Sequence, residues 1–318
     1  MRRHSVSGEP QNEELQRTKP AVFSVSAGFA AELRCSADRL RLRATLKPPA
    51  LVSIVLTAAC GLLPGPGRAA TEDLRQAVSA HHLEFIPEGD GPFPTLVAIP
   101  GCSGIAFEDD SEETTHPGLT TDDRIFRRHY REISSRLRNA GYAVLLIHVH
   151  HAEGLETACG GEIGAERIAE YIDEAVSWAR SLPYVDARRV HVIGWSMGGG
   201  GALAWLHGAR GEASSVRSVV AVYPVCRGRE TLTSQLPLLL LLGGADDITP
   251  PSSCGHLLGT SAGGPKITVE VYPGARHGFD VTDAPPALSI GNGMTVGYQK
   301  EAADAAWGRI LSFLTGHQ

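Results

Sequence analysis

Methionine is scarce in this 318-residue chain: there are three, and none lies between Met1 and Met197. Also missing is an apolar run of the ~20 residues that a bilayer-spanning helix needs. The run Ala50 to Leu63 falls short of that length, so a stable membrane span is not expected. There is no internal repeat, which sets solenoids and propellers aside. Basic excess is lacking where it would matter for nucleic acid. Residues 1–70 carry 10 Lys/Arg against 5 Asp/Glu, whereas residues 71–318 carry 19 against 30, a net charge of −11. A surface of that sign repels phosphate backbones and anionic lipid, so neither is an expected partner of the main domain.

What is present describes an ordinary globular chain. Hydrophobic residues make up 42% and charged residues 20%, enough for a real core, and 36 Gly with 20 Pro imply many tight turns. Residues 1–38 show no sustained apolar period and are expected to be disordered. Arg39, Arg41, Arg43 and Lys47 then precede the apolar run, and Pro64-Gly65-Pro66-Gly67-Arg68-Ala69-Ala70 follows it. A basic region, a short apolar stretch and small residues at −3 and −1 (Gly67 and Ala69) make an export signal over about 39–69, cut after Ala69. The folded domain is therefore expected over 70–318, periplasmic or secreted. A signal normally opens a chain, and initiation at a non-AUG codon in the 30s or early 40s is the expectation here. The alternative to cleavage is lipid attachment at Cys60, for which Thr57 at −3 is a poor match.

Removing the leader takes Cys35 and Cys60 and leaves Cys102, Cys159, Cys226 and Cys254, an even set that suits an oxidising compartment. Of the three pairings, Cys226 with Cys254 and Cys102 with Cys159 are expected, because each would join loops at strand ends. Four buried thiols are the alternative.

Near-continuous apolar runs recur at Thr95 to Ile99, Tyr142 to His148, Arg189 to Ile193, Val216 to Val222, Leu238 to Leu242 and Ile267 to Val271. Such runs, without polar alternation, fit parallel strands covered on both faces. Helical spacing links Ile168, Ile172, Ala175, Val176 and Ala179, and again Ala303, Ala306, Trp307, Ile310, Leu311 and Leu314. The alternation predicts an α/β fold with a doubly wound, mostly parallel sheet flanked by helices, and His82 to Ile86 adds an antiparallel edge strand.

One strand runs straight into Gly194-Trp195-Ser196-Met197-Gly198-Gly199-Gly200-Gly201, with Ala202 to His207 continuing as a helix. A serine on so sharp a turn needs small residues two places before and after it, and Gly194 and Gly198 fill them. A phosphate-binding loop is the competing reading, but no lysine follows the glycines. Asp246 in Gly243-Gly244-Ala245-Asp246-Asp247-Ile248-Thr249-Pro250, and His277 in Tyr272-Pro273-Gly274-Ala275-Arg276-His277-Gly278-Phe279-Asp280, come next. Both sit just past strand C-termini, and they supply nucleophile, acid and histidine in the chain order of an α/β-hydrolase. Asp247 is the alternative acid; otherwise it is solvated or caps the helix after Pro250. The N–H of Met197 and that of Cys102, in Pro100-Gly101-Cys102-Ser103-Gly104, are the expected oxyanion donors, with Ser103 as alternative to Cys102. No metal or organic cofactor is implied.

These motifs, with the final Ala-Ala-Trp…Leu-Ser-Phe-Leu helix, resemble the dienelactone hydrolase family from about Phe93 to the C-terminus. The resemblance implies an α/β-hydrolase catalytic domain that cleaves an ester or lactone, with the triad carried onto Ser196, Asp246 and His277. The founding members use a cysteine nucleophile and carboxylate-holding arginines; here the nucleophile is serine and no such arginines are placed by motif. The expected substrate is therefore a small or medium neutral ester or lactone, and the expected protein a monomer. Two other readings are a cutinase-like polyester or lipid esterase, and a non-catalytic binding protein on a hydrolase scaffold. Glu108 to Asp123, with seven acidic residues, is read as a solvated insertion, with a lid or a cation site as the alternatives. His148, His150 and His151 are read as strand-end pocket or surface histidines, a zinc site resting only on the shared face of His148 and His150. Asp280 to Lys300 is read as a long connection forming a pocket wall, and Trp195 as packing under the elbow.

Overall fold

The computed structural model of the protein describes residues 66–105, 121–208, 215–226, 232, 234–259, 266–291 and 293–318. Most of the export signal, Cys60 included, and most of the acidic insertion lie outside the described residues. In chain order the elements are α1 (Pro66–Ala80), β1 (His82–Phe85), β2 (Phe93–Ile99), α2 (Thr121–Asn139), β3 (Ala143–Ile147), α3 (Val149–Ala152), α4 (Ala165–Ala179), β4 (Val185–Trp195), α5 (Met197–His207), β5 (Ser218–Val222) and β6 (Leu238–Gly243). A 3-10 helix (Pro251–Gly259), β7 (Ile267–Tyr272), β8 (Leu288–Gly291), β9 (Met294–Val296) and α6 (Lys300–Thr315) complete the chain.

The main sheet has 7 strands in the order β1-β3-β2-β4-β5-β6-β7. Within it only β1, at the edge, runs antiparallel to its neighbour. Alternate side chains of one strand feed opposite layers. Val97 and Ile99 of β2, Leu145 and Ile147 of β3, and Leu238 and Leu240 of β6 pack with Val78 of α1, Ile168 and Ile172 of α4 and Leu203 of α5. Leu96, Ala98, Val144, Leu146, Leu239 and Leu241 pack on the other side with Tyr130, Ile133 and Leu137 of α2 and with Ala306, Trp307 and Ile310 of α6. Two covered faces explain why the strands are apolar at consecutive positions: neither register is free to face water.

The chain leaves β2 in one direction, to β3, and continues from β4 in the other. The switch in winding thus falls between β2 and β4, and the crevice above their C-terminal ends is where doubly wound sheets place a ligand.

Three local findings differ from the sequence reading. The strand expected over Tyr142 to His148 ends at Ile147, because the chain turns there into α3; His148 and His150 therefore do not share a strand face. Helix α2 is not among the elements read from the sequence, because it is largely charged; among its described side chains Tyr130, Ile133 and Leu137 form the apolar stripe that reaches the core, with His129 and Ser134 buried beside them. The connection Asp280 to Lys300 contains the β8–β9 hairpin. No helix among the described residues is long and apolar enough to cross a membrane.

Candidate active site

β4 delivers Ser196 and α5 begins one residue later. Ser196 has φ 49° and ψ −112°, a backbone state that L-residues rarely occupy and that its neighbours impose. Its N–H donates to Val222 O at 2.9 Å, and its carbonyl accepts from Gly200 N–H at 2.9 Å and Val225 N–H at 3.1 Å. A Cβ on Gly194 would collide with the Gly198 carbonyl; one on Gly198 would collide with Ile99 O and lie 2.5 Å from Pro100 O. Backbone cannot yield as a side-chain tip can. Gly198→Ala is accordingly expected to destabilise the protein by about 1–3 kcal/mol or more, seen as a lowered denaturation midpoint at unchanged slope. A midpoint equal to wild type would contradict that close approach.

His277, on the turn after β7, places Nε2 2.8 Å from Ser196 Oγ and Nδ1 2.8 Å from Asp246 Oδ2. Asp246 also accepts the N–H groups of Ile248 and Thr249, at 2.9 and 2.7 Å, so its loop wraps around the carboxylate. Thr249 Oγ1 stands 2.8 Å from Asp246 Oδ2 and 3.2 Å from both His277 Nδ1 and Tyr223 O. Burial alone would raise the Asp246 carboxyl; the bonds from His277 and Thr249 outweigh it and hold the group below the usual carboxylate range. Asp247 takes no part in this contact and caps no helix. It accepts the N–H of Thr295 at 2.9 Å and so ties the β8–β9 hairpin beside His277, whose own carbonyl accepts Gly297 N–H at 3.0 Å.

The loop after β2 closes the site. Gly101 abuts the serine closely enough that an added Cβ would lie 3.3 Å from Ser196 Cβ. Its N–H donates to Tyr130 Oη at 2.7 Å, Gly104 N–H returns to Gly101 O, and Cys102 O accepts Ala158 N–H at 2.8 Å. Two disulfides, Cys102–Cys159 and Cys226–Cys254, brace the loop after β2 and the segment after β5. Gly104 covers His148 and His150, both buried; a Cβ on it would lie 3.3 Å from His148 Nε2. Among the described residues no group of three or more His, Cys, Asp or Glu is arranged to hold a metal.

Sequence reasoning did not single out Asp280, Tyr223, His129 or Tyr130. Asp280, three residues past His277 and 2% exposed, accepts Tyr223 Oη–H at 2.6 Å and Trp195 Nε1–H at 3.2 Å, and faces His129 Nε2 at 3.5 Å. The Tyr223 ring lies 4.7 Å from that of His277, centre to centre. Burial would raise the Asp280 carboxyl, but His129, then Tyr223 and Trp195, bring it below its ordinary value. Burial, followed by the Asp280 charge, pushes the Tyr223 phenol well up, which keeps its hydroxyl a donor.

Because Asp246 and Asp280 are both lowered in the folded state, their stabilisation is complete above the unfolded value near ~3.9 and is lost as pH falls through the lower folded values. Denaturant midpoints are therefore expected to hold down to about pH 4 and to drop below it, less steeply in Asp280→Asn. A decline equally steep in that variant would assign the acid sensitivity elsewhere.

A mostly parallel sheet, helices on both faces and a serine on a strained strand-to-helix turn define an α/β-hydrolase fold. The dienelactone hydrolase family model matches residues 124–318, and the chain belongs to that family. Among solved structures, the chain is similar to a dienelactone hydrolase-like promiscuous phosphotriesterase from metagenomic libraries (TM-score 0.56, 18% identity, 72% of this chain and 88% of that one). It is similar also to a dienelactone hydrolase from Anabaena variabilis (TM-score 0.52, 16% identity, 74% and 91% covered). A third is esterase 2 of Thermogutta terrifontis, solved phosphoramylated by tabun (TM-score 0.50, 12% identity, 73% and 89% covered). No curated protein sequence matches the chain.

Proposed function

We propose that the protein is an exported serine hydrolase that cleaves a small or medium neutral carboxylic ester or lactone through an acyl-enzyme. The observation that carries the reading is the unbroken chain Ser196 Oγ, His277 Nε2, His277 Nδ1, Asp246 Oδ2, with 2.8 Å at both hydrogen bonds. Ser196 Oγ attacks the carbonyl carbon while His277 Nε2 takes the hydroxyl proton. The N–H groups of Met197, at the start of α5, and of Cys102 hold the tetrahedral oxyanion. Collapse expels the alcohol, which receives the proton from His277; water, deprotonated by the same nitrogen, then attacks the acyl carbon and releases the acid and the serine. Asp246 holds the ring with Nδ1 protonated and stabilises the imidazolium between steps.

Neutrality of the substrate is supported by the acidic balance of residues 71–318 and by Val225, which is 37% exposed beside the elbow and offers an apolar contact rather than a cation. Export is supported by the two disulfides together with the leader-like segment. The test is a fluorophosphonate probe on protein starting at Thr71, followed by a panel of short p-nitrophenyl esters, long-chain esters, lactones and polymer film. Labelling of wild type but not of Ser196→Ala is expected, with turnover highest on the short neutral substrates. Equal labelling of both proteins would sink the assignment, and a preference for film or long chains would move it to the cutinase-like reading.

A further inference from the structure

The mechanism above leaves one buried charge unused. Asp280 is held by groups from three separate elements, and each of those groups, or the residue next to it in the chain, touches a different part of the reacting site. Trp195, whose indole N–H donates to it, immediately precedes the nucleophile. Tyr223, whose hydroxyl donates to it, lays its ring against His277 and receives the Thr249 hydroxyl on its carbonyl, next to Asp246. His129, across from it on α2, is followed by Tyr130, whose oxygen accepts the Gly101 N–H and whose ring meets the edge of Trp195 at 5.7 Å.

Resting on the hydrolase reading, we infer that Asp280 is a positioning residue: a carboxylate that fixes, from behind, the nucleophile turn, the aromatic backing of the imidazole and the oxyanion loop. It does not touch the substrate. A carboxylate offers two acceptor oxygens in a fixed fork, and here one takes the phenol and the other the indole while the charge faces an imidazole. Apolar side chains could fill the same volume, but they would leave Tyr223 Oη and Trp195 Nε1 with buried, unmatched donors. The expected effect of disturbing it lies on kcat, since what moves is the alignment of Ser196 against His277 and not the substrate pocket.

The experiment compares Asp280→Asn, Tyr223→Phe and their combination with Asp173→Asn. Asp173 accepts the Trp205 indole N–H at 2.9 Å on the α4–α5 side and serves as a control for loss of an indole-bound carboxylate charge far from the serine. Kinetics on the best ester of the panel, fluorophosphonate labelling rates and thermal midpoints are read for all. Asp280→Asn is expected to lower kcat and the labelling rate about 10²-fold with KM within about threefold, and Tyr223→Phe to lower kcat roughly tenfold. The double variant should fall no further than Asp280→Asn alone, because both act through one contact. Asp173→Asn should lose thermal stability yet keep kcat within about twofold. If Asp280→Asn does not fold, Tyr223→Phe against Asp173→Asn decides by the same split. Wild-type labelling at Ser196 with Asp280→Asn at wild-type kcat would overturn this inference alone, as would a kcat loss that only tracks the thermal midpoint across all variants. A wild type that takes no label at Ser196 overturns the inference and the hydrolase reading together.

Discussion

Ser196→Ala is expected to reduce turnover by about 10⁶-fold while leaving the fold intact. The hydroxyl makes its hydrogen bond to His277 and contributes nothing to the core, and alanine meets the same positive φ that serine already tolerates. Removing His277 should cost a similar factor, and removing both no more than either, because the nucleophile is useless without its base. Asp246→Asn should be milder, about 10⁴-fold, since it leaves the geometry in place but favours the wrong tautomer of the ring. The rate of alcohol release from a chromogenic ester measures all three. Additive losses in the Ser196→Ala/His277→Ala pair would mean that the two side chains do not act as one unit.

Reduction of the Cys102–Cys159 bridge is expected to lower both stability and turnover. The bridge ties the loop after β2, which carries the proposed oxyanion donor, to the segment before α4, a junction that the backbone bond from Ala158 N–H to Cys102 O also spans. Closing 57 residues of chain stabilises the fold by about 4 kcal/mol in the chain-entropy account. Losing it should lower stability by that order, and kcat by about 10²-fold as the donor swings away from the developing oxyanion. Cys159→Ser isolates this bridge from Cys226–Cys254 without changing the residue that presents the N–H. Labelling by the phosphonate should slow in parallel, because its oxygen uses the same donors. If Cys159→Ser keeps wild-type kcat, the bridge is not what holds the Cys102 N–H in place, and the Ala158 N–H to Cys102 O bond suffices.

Most of the frame is legible in the amino-acid sequence. The six apolar runs correspond to β2 to β7: the inner strands are covered on both faces and so apolar at consecutive positions, whereas the edge strand β7 is only partly buried, with Val271 exposed. His82 to Ile86 contains β1, and the spacing in α4 and α6 marks their buried stripes. Less legible are α2, whose many charged residues obscure an apolar stripe that includes Tyr130, Ile133 and Leu137, and β8–β9, where Gly, Asn and Pro signal turns but not pairing. His148 directly follows β3, but the shared strand face read for His148 and His150 does not form, because nothing in Leu145-Leu146-Ile147 announces that the chain turns into α3.

Local sequence determined whatever depends on residues near one another in the chain: the strand-to-helix turn at Ser196, the small residues around it, and the loops at strand ends. Tertiary structure alone shows Asp246 against the imidazole and Asp247 turned to the β8–β9 hairpin, and it alone brings Tyr223, Trp195 and His129 together around Asp280. Motifs record the backbone a turn demands. A buried carboxylate whose partners lie 57, 85 and about 150 positions away leaves no such record, because its site exists only once the sheet has brought those strands and α2 together.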